Sequence, residues 1–226
     1  MKVVYAALCL GLLSVCRAAP LTCDQLVTTK DPTGTELSGI WHLHALSTDS
    51  CVLSNILHTF LKPSIMLNVA YEETSKSYEI TSKIKTMSYC MNETESFVQD
   101  KASLSHKHKK ELYHIMQSSC SDCIVLKTDS LFKAIFVYSR KTTFDAADLK
   151  EFETQAACLG LPQPQTFGTD YDFGNCKDLE DSEPTDEETS IMIQRLEDLA
   201  AELMRCLVRY ILSWVKSSQD SSNGSA

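Results

Sequence analysis

The sequence lacks the motifs of the common catalytic and metal sites. Its 7 glycines do not have the spacing of a phosphate-binding loop or of a Gly-x-Ser-x-Gly turn, and no His-Glu-x-x-His segment is present. The neighbouring His106 and His108 stand among lysines, which would repel a metal cation. We therefore predict that the protein is not an enzyme and has neither a cofactor nor a metal site.

Positive charge is also scarce. The formal net charge at pH 7 is -9, and the acidic excess is concentrated from Asp170 onward, where 13 acidic residues stand against 5 basic ones. Binding to a phosphate backbone needs a basic patch. The composition therefore excludes nucleic acid as a partner.

Long apolar runs are confined to the N-terminus. Residues 1–18 combine Lys2, an apolar stretch from Val3 to Val15 and small residues around Ala18, which is the pattern of a cleavable signal peptide. The stretch is shorter than the roughly 20 residues that span a bilayer. We therefore predict a secreted, extracellular protein.

Cysteine, in contrast, is abundant. Of the 10 cysteines, Cys9 and Cys16 fall in the signal peptide, and the even number that remains predicts disulfide bonds in an exported chain. For Cys120 and Cys123, structural pairing is favoured over a redox pair or half of a zinc site. Asn92 begins an Asn-Glu-Thr sequon and is the predicted glycosylation site.

Eight short runs of alternating or apolar residues follow the N-terminal segment, most of them separated by a few polar residues. This spacing predicts hairpin-linked antiparallel strands and disfavours a parallel α/β sheet. The predicted strands are 40–46, 65–71, 77–84, 86–92, 96–104, 111–117, 123–128 and 132–140, with a short helical stretch at 51–60.

Two helices are predicted after the strands. Residues 143–159 carry apolar side chains at helical spacing and end before Gly160 and Pro162. Residues 191–216 form a second, amphipathic pattern. The predicted organisation is a signal peptide at 1–18, a barrel domain with its flanking helix at 19–177, an acidic linker at 178–190, a C-terminal helix at 191–216 and a disordered tail at 217–226.

Five ordered positions carry a family resemblance. Gly39 and Trp41 open the first strand, Thr128 and Asp129 form the turn before the last strand, and Arg140 ends that strand. This set resembles the lipocalins over about residues 23–176. The resemblance implies an all-β fold, an eight-stranded antiparallel up-and-down barrel with one flanking α-helix, to which this chain adds a C-terminal amphipathic helix.

Local matches place the resemblance within one branch of the family. The segments 90–94 and 157–162, with Cys176, resemble alpha-1-acid glycoprotein (orosomucoid) and the saxitoxin- and tetrodotoxin-binding plasma proteins of fish. This resemblance implies the disulfides Cys23–Cys158 and Cys90–Cys176. It leaves four cysteines unassigned: Cys51, Cys120, Cys123 and Cys206.

Strand alternation indicates which side chains face the barrel interior. Arg140 reaches Trp41 beneath the floor, so residues of its strand at even spacing from it are expected to face inward. Cys90 points outward to its disulfide partner, so residues of its strand at odd spacing from it are expected to face inward. His42 and His44 are expected on the outer face. The predicted ligand-binding residues are Leu43, Leu67, Tyr78, Ile80, Tyr89, Met91, His114, Leu126, Phe136 and Tyr138. Further inward candidates are Met87, Leu112, Met116 and Phe132, and on the second strand Ile65 and Val69 are favoured over Met66 and Asn68.

A barrel of eight strands holds either packed side chains or one small ligand. We therefore predict a secreted lipocalin that binds and transports a small hydrophobic or amphipathic ligand. The branch resemblance implies a plasma carrier with an acute-phase or toxin-binding role, although alternation assigns no acidic group to the interior. The alternative is an interaction protein whose C-terminal helix mediates lipoprotein association or self-association. Three interpretations of that helix stay open: packing on the barrel, pairing through Cys206, and lying on lipid.

Overall fold

The computed structural model describes residues 22–168, 170–178 and 182–223, and from residue 216 onward its backbone only. The predicted signal peptide at 1–18 lies outside the described ranges, as do residues 224–226. Within those ranges no helix combines the length and the hydropathy of a membrane span.

Eight strands close into an antiparallel barrel. Each strand pairs with its neighbours in the chain, β4 pairs with β5, and β8 returns to pair with β1. The predicted fold class is confirmed. The strands are β1 (Gly39–Thr48), β2 (Ser64–Glu72), β3 (Ser77–Thr86), β4 (Tyr89–Asp100), β5 (Ser103–His106), β6 (Leu112–Met116), β7 (Cys123–Thr128) and β8 (Ala134–Ser139).

The fourth strand differs from the prediction. Residues 93–95, expected to form a break between two strands, continue β4 and pair with β3. The hairpin turns lie instead at Met87 and Lys101, both with positive φ. A short polar run resembles a turn in sequence, but here its backbone keeps the ladder hydrogen bonds because the turns on either side fix the register.

The direction of β1 distinguishes the two ends of the barrel. Trp41 stands near the start of β1, beside Arg140 at the end of β8, and together they mark the closed end. The opposite, open end carries the β1–β2 connection, which contains α2 (Cys51–Asn55) and a π-helical turn (Ile56–Leu61). The β3–β4, β5–β6 and β7–β8 hairpins lie at the same end.

The floor of the barrel is built around Trp41, which is buried. Its indole N–H donates to the carbonyl of Leu37 (2.8 Å), and the Arg140 guanidinium lies 4.1 Å from its ring centroid. Arg140 also donates to the carbonyls of Glu36 (3.0 Å) and Ser38 (2.8 Å). One side chain therefore ties the last strand to the segment that enters the first strand.

The flanking helix α3 (Ala146–Cys158) packs on the outside of the barrel, and α1 (Cys23–Leu26) lies beside it. Gln155 is buried there, and its amide donates to the carbonyls of Leu26 (3.1 Å) and Gln117 (2.6 Å). The apolar cluster between α3 and the sheet consists of Ala45, Met116, Val125, Ile135, Val137, Phe152, Ala156 and Leu161.

Four disulfides tie the chain together within the described residues: Cys23–Cys158, Cys51–Cys206, Cys90–Cys176 and Cys120–Cys123. The first and third coincide with the pairs that the resemblance implies. The other two involve the cysteines that it leaves unassigned. Two short strands complete the sheet: β9 (Gln165–Thr166) pairs with β1, and β10 (Lys177–Asp178) pairs with β4 next to the Cys90–Cys176 bond.

His42 and His44 lie on the outer face of β1, as expected, but both are buried. The His44 ring stacks on Phe144 at 4.8 Å and donates from Nε2 to the carbonyl of Lys141 (2.9 Å). Tyr171 covers His42 with its ring centroid at 4.5 Å. The chain after β8 folds back over this face, which strand alternation alone does not reveal.

The C-terminal helix α4 (Asp186–Asn223) is longer than the predicted 191–216 at both ends. Its start lies in the acidic segment expected to be a linker. The backbone N–H of Glu188 donates to the Thr185 hydroxyl (3.2 Å), and the Glu188 carboxylate accepts the Thr185 N–H (2.9 Å). This reciprocal cap, with three acidic residues in the first turn, stabilises the positive end of the helix dipole.

The closed end predicts a large effect of Gly39→Ala. Gly39 has φ of 109°, and a Cβ there would lie 2.7 Å from an Arg140 nitrogen. We expect a loss of about 2 kcal/mol in unfolding free energy from backbone strain and displaced stacking, measured by urea denaturation. Gly160→Ala, with φ of 70° and open space around it, should cost about 1 kcal/mol, and an equal loss in both variants would contradict this account.

Burial of His44 predicts a stability change at mildly acidic pH. Burial lowers the pKa of His44 below its ordinary value, so the unfolded chain takes up a proton that the folded protein resists. Unfolding free energy should therefore fall as the pH drops below about 6.5. His44→Gln should reduce that slope in denaturation series between about pH 7 and 5.5, whereas the exposed control His58→Gln should retain it.

Candidate ligand-binding site

The barrel interior is filled by one apolar cluster. Of the predicted ligand-binding residues, those in or packed against this cluster are Leu43, Leu67, Tyr78, Ile80, Leu126, Phe136 and Tyr138. Ile65 and Val69 belong to it too, so β2 presents the side that alternation favours. These residues form an apolar interior between the floor and the open end.

The sixth strand presents the other face from the predicted one. Tyr113 and Ile115 face the interior, and the predicted residues lie outside. The His114 Nδ1 is 2.9 Å from the Ser103 hydroxyl, Leu112 is exposed, and Met116 packs under α3. The N-terminal segment pairs alongside the end of β6, with the Lys30 N–H donating to the Ile115 carbonyl (2.9 Å), and Val27 packs against the same outer cluster as Met116. A one-residue register error exchanges the two faces of a strand.

Tyr89 and Met91 lie at the open end of β4. Tyr89 is buried beneath the start of α4, where its hydroxyl is 3.5 Å from the Glu188 carboxylate and Lys177 lies over its ring at 5.6 Å. Met91 is 40% exposed. Neither belongs to the apolar cluster, so both form part of the rim rather than of the apolar interior.

Acidic side chains share the inward side of β4, which the sequence prediction missed. Glu93 and Glu95 alternate in step with Phe97, which is part of the interior cluster. Exposure increases toward the open end, from buried Phe97 to Glu95 (side chain 23% exposed) and Glu93 (65% exposed). The strand therefore leads from an apolar interior to a solvent-accessible, acidic mouth. The parity of Tyr89 and Met91, extended by two and four residues, would have found both carboxylates.

The hairpin between β5 and β6 covers these carboxylates. The Lys109 ammonium forms an ion pair with Glu95 and lies 3.8 Å from Glu93. The His106 Nδ1 accepts the backbone N–H groups of His108 (2.9 Å) and Lys109 (2.8 Å). The His106 hydrogen is therefore on Nε2, which faces Glu95 at 3.4 Å. The mouth thus contains two carboxylates, Glu93 and Glu95, whose cationic partner in this structure is the Lys109 ammonium.

Aromatic rings line the wall below the carboxylates. Phe97 meets His106 edge-on at 5.1 Å and Tyr113 at 6.0 Å, and Tyr113 meets Phe136 at 6.5 Å. Burial and the nearby Glu111 and Glu95 carboxylates raise the pKa of Tyr113 to about 12. Its hydroxyl therefore stays protonated and donates to the Glu111 carboxylate (3.4 Å).

The first half of α4 runs along the rim of the open end. Glu188 accepts from the Lys177 ammonium (2.8 Å) above the start of β4, Arg195 donates to the Phe60 carbonyl (3.2 Å), and Cys206 is bonded to Cys51 after the end of β1. Glu188 and Cys206 are about 27 Å apart along a helix. This first half of α4 is thus held at both of its ends across one side of the mouth.

Two further features lie outside the barrel interior. A cavity of about 330 Å³ lies below the floor and is lined by Trp41, Arg140, Cys120 and Cys123 among others. The two cysteines are disulfide-bonded, so neither sulfur is a thiolate available to a metal. Asn92 is exposed on the outward side of β4, where a glycan would extend into solvent.

Comparison with solved structures finds this barrel in other proteins. The siderocalin Ex-FABP, described as having dual ligand specificities, superposes with a TM-score of 0.51 at 12% identity over 58% of this chain and 93% of that chain. The odorant-binding protein OBP1 gives a TM-score of 0.50 at 14% identity, over 60% of this chain and 93% of that chain. No model of a known protein family matches the chain, and no curated protein matches it in sequence. The two structural matches show that the barrel with its flanking helix is a lipocalin fold.

The Cys51–Cys206 bond predicts a local effect of its removal. In the double variant Cys51→Ser/Cys206→Ser, the Leu199–Cys206 part of α4 should open more readily because only non-covalent contacts then hold it on the rim. Hydrogen exchange followed by mass spectrometry should show faster exchange there and unchanged exchange in α3. The control Cys120→Ser/Cys123→Ser should leave α4 protected, and equal exchange in both variants would mean that the bond does not hold the helix.

Proposed function

We propose that the protein is a secreted, non-catalytic carrier that binds one small hydrophobic or amphipathic ligand inside its barrel. The observation that carries this proposal is the change along the barrel interior from apolar and aromatic side chains to polar, solvent-accessible ones at the open end. Pockets that combine apolar walls with a few convergent polar groups are typical of small-molecule sites. The four disulfides and the lipocalin fold are consistent with an extracellular protein.

The mouth supports a narrower ligand class, an organic cation with an apolar or aromatic body. Such a ligand would place its charge between Glu95 and Glu93, displace the Lys109 ammonium, and lay its body on Phe97 and Tyr113. A plasma carrier of basic compounds, as the orosomucoid-like resemblance implies, fits this class, and guanidinium toxins fall within it.

The carrier proposal is tested by native mass spectrometry of the protein secreted from its producing cells, before and after organic extraction. A stoichiometric extra mass that disappears on extraction supports the proposal and identifies the cargo. A protein that is free of cargo and also fails to bind hydrophobic dyes or lipophilic amines would contradict it.

The cation proposal predicts opposite effects of two variants. Glu95→Gln should weaken binding of the fluorescent lipophilic amine quinacrine by roughly 10-fold or more, since a charge-assisted contact is lost. Lys109→Ala should strengthen it, because the competing ammonium is removed. Fluorescence titration measures both, with the neutral dye Nile red as the ligand that neither change should affect.

Lys110→Ala is the matched control for Lys109→Ala, since Lys110 lies in the same hairpin and is exposed. It should leave quinacrine affinity unchanged. If both lysine variants strengthen binding equally, the general charge of the hairpin is responsible and not the Glu95 contact.

The alternative function, interaction through the C-terminal helix by lipoprotein association or self-association, is favoured by a separate observation. Apolar side chains of α4 remain exposed on the side not packed against the rim. Removal of residues 207–226 keeps the Cys51–Cys206 bond and so tests this role without loosening the mouth. Ligand affinity should survive, whereas partner association should be lost.

A further inference from the structure

The Cys120–Cys123 disulfide, at the closed end of the barrel between β6 and β7, differs from the other three in the length of chain that it closes. Its cysteines are 3 positions apart, whereas the other bonds join residues 135, 155 and 86 positions apart. The stabilisation that a disulfide gives through chain entropy grows with loop length, so this bond stabilises the fold least. Because the coupling between a bond and folding is the same in both directions, the fold also protects this bond least against reduction.

Non-covalent contacts hold the same turn in place. The Glu151 carboxylate of α3 accepts the Ser118 hydroxyl (3.0 Å) and the Ser119 backbone N–H (2.8 Å). On the other side, the Arg140 backbone N–H donates to the Asp122 carbonyl (3.0 Å). A structural disulfide, which the sequence alone favours here, would be needed to hold the turn. These contacts do so without it, and the turn should therefore keep its place when the bond opens.

The cavity of about 330 Å³ below the floor gives a small molecule access to this bond. Cys120 and Cys123 are half-buried and line the cavity, and exposed Thr35 lies on its wall. A volume of this size accommodates a small molecule and not a folded protein partner. Both signs of charge are present in the lining, from Arg140 and Glu36 among others, so the cavity does not select ligands of one charge.

We infer that Cys120–Cys123 is a thiol-exchange site that reacts with low-molecular-weight thiols entering the cavity below the floor. This activity is independent of the carrier function, because the floor around Trp41 separates the cavity from the apolar interior and the mouth lies at the opposite end. The substrate class is a small thiol and its disulfide, as glutathione and cystine represent it.

The exchange proceeds in two displacement steps. A thiolate of the small molecule attacks one sulfur, the Cys120–Cys123 bond breaks as the mixed disulfide forms, and the departing cysteine sulfur takes up the proton that the small thiol released to solvent. A second small thiol then attacks the mixed disulfide and frees the other cysteine. In sum, two small thiols are oxidised to their disulfide by two electrons, and the protein disulfide is reduced to a dithiol.

The Asp148 carboxylate controls the rate of these steps. One of its oxygens and the two sulfurs all lie within 4.8 Å of one another, and Asp148 stands in the first turn of α3. Its negative charge repels an incoming thiolate and disfavours a departing one. The other nearby carboxylate, Asp122 in the turn itself, lies 3.9 Å from the Lys141 ammonium, which offsets its charge. Asp148 should therefore slow the exchange.

The first test is a titration of the mature protein with reduced glutathione at neutral pH, followed by alkylation of the new thiols with N-ethylmaleimide and peptide mass spectrometry. Cys120 and Cys123 should be labelled first, and the other pairs should need at least about tenfold more glutathione. The reduced protein should bind Nile red as before, because the mouth lies at the opposite end. Earlier or simultaneous labelling of another pair, or loss of Nile red binding together with labelling of Cys120, would overturn the inference.

A variant of Asp148 tests the control of the rate. Asp148→Asn should react with glutathione about threefold or more faster, since the like-charge repulsion is removed. The matched control is Asp145→Asn at the N-cap of the same helix, an exposed position outside the group around the sulfurs, where asparagine remains a good cap. An unchanged rate in Asp148→Asn, or the same gain in Asp145→Asn, would contradict the assigned role of Asp148.

A variant of Thr35 tests whether the thiol reacts from within the cavity. Thr35→Trp adds a bulky side chain to the cavity wall and should slow reduction by glutathione by about threefold or more, while the much smaller 2-mercaptoethanol should react at nearly the wild-type rate. Equal rates of glutathione reduction in this variant and in the wild type would show that the bond reacts from bulk solvent, and would overturn the assignment of the cavity as the thiol site.

Discussion

The stacking of Arg140 on Trp41 is the contact on which the rest of the barrel depends. It joins the end of the last strand to the start of the first, and its two hydrogen bonds to backbone carbonyls hold the chain that crosses beneath the floor. Once these two ends meet, every strand between them has a fixed inner and outer side. The apolar interior, the mouth and the surfaces on which α3 and α4 pack all follow from that closure.

Polarity changes gradually along one strand of the finished barrel. β4 places Phe97 in the apolar interior, Glu95 above it and Glu93 at the solvent boundary. Its inward-facing side chains, at every second residue, therefore become more polar toward the open end. Carboxylates at such a boundary keep part of their hydration, while the aromatic walls just below are shielded from water. A ligand with a charged end and an apolar body matches both environments at once.

The C-terminal helix fastens one side of the rim of the barrel. Its first half is held by Glu188 at one end and by the Cys51–Cys206 bond at the other. Because the packed face takes up only part of the helix circumference, apolar side chains on its other side stay exposed. The helix thus contributes to the mouth of the barrel through one face only.

Several features were predictable from local sequence. The Gly-x-Trp opening, the terminal arginine and the eight apolar runs predict the closed barrel, and two of the disulfides follow from the family resemblance. The inward face of β6 was not predictable, because Leu112, His114 and Met116 alternate with Tyr113 and Ile115 and either set could face a barrel interior. Only the packing of Met116 under the distant helix α3 decides between them. The break expected at 93–95 was wrong for a similar reason, since strand pairing overrode a polar local sequence.

The sequence by itself determined the fold class, the sites of chain reversal at most hairpins and the amphipathic character of both long helices, because each depends on periodicity and short-range turn chemistry. The tertiary structure decided which face of each strand is inside, that Glu93 and Glu95 stand in the mouth, and that Cys206 bonds to Cys51 rather than to another molecule. These outcomes depend on contacts between residues far apart in the chain. Only a closed barrel brings those residues together.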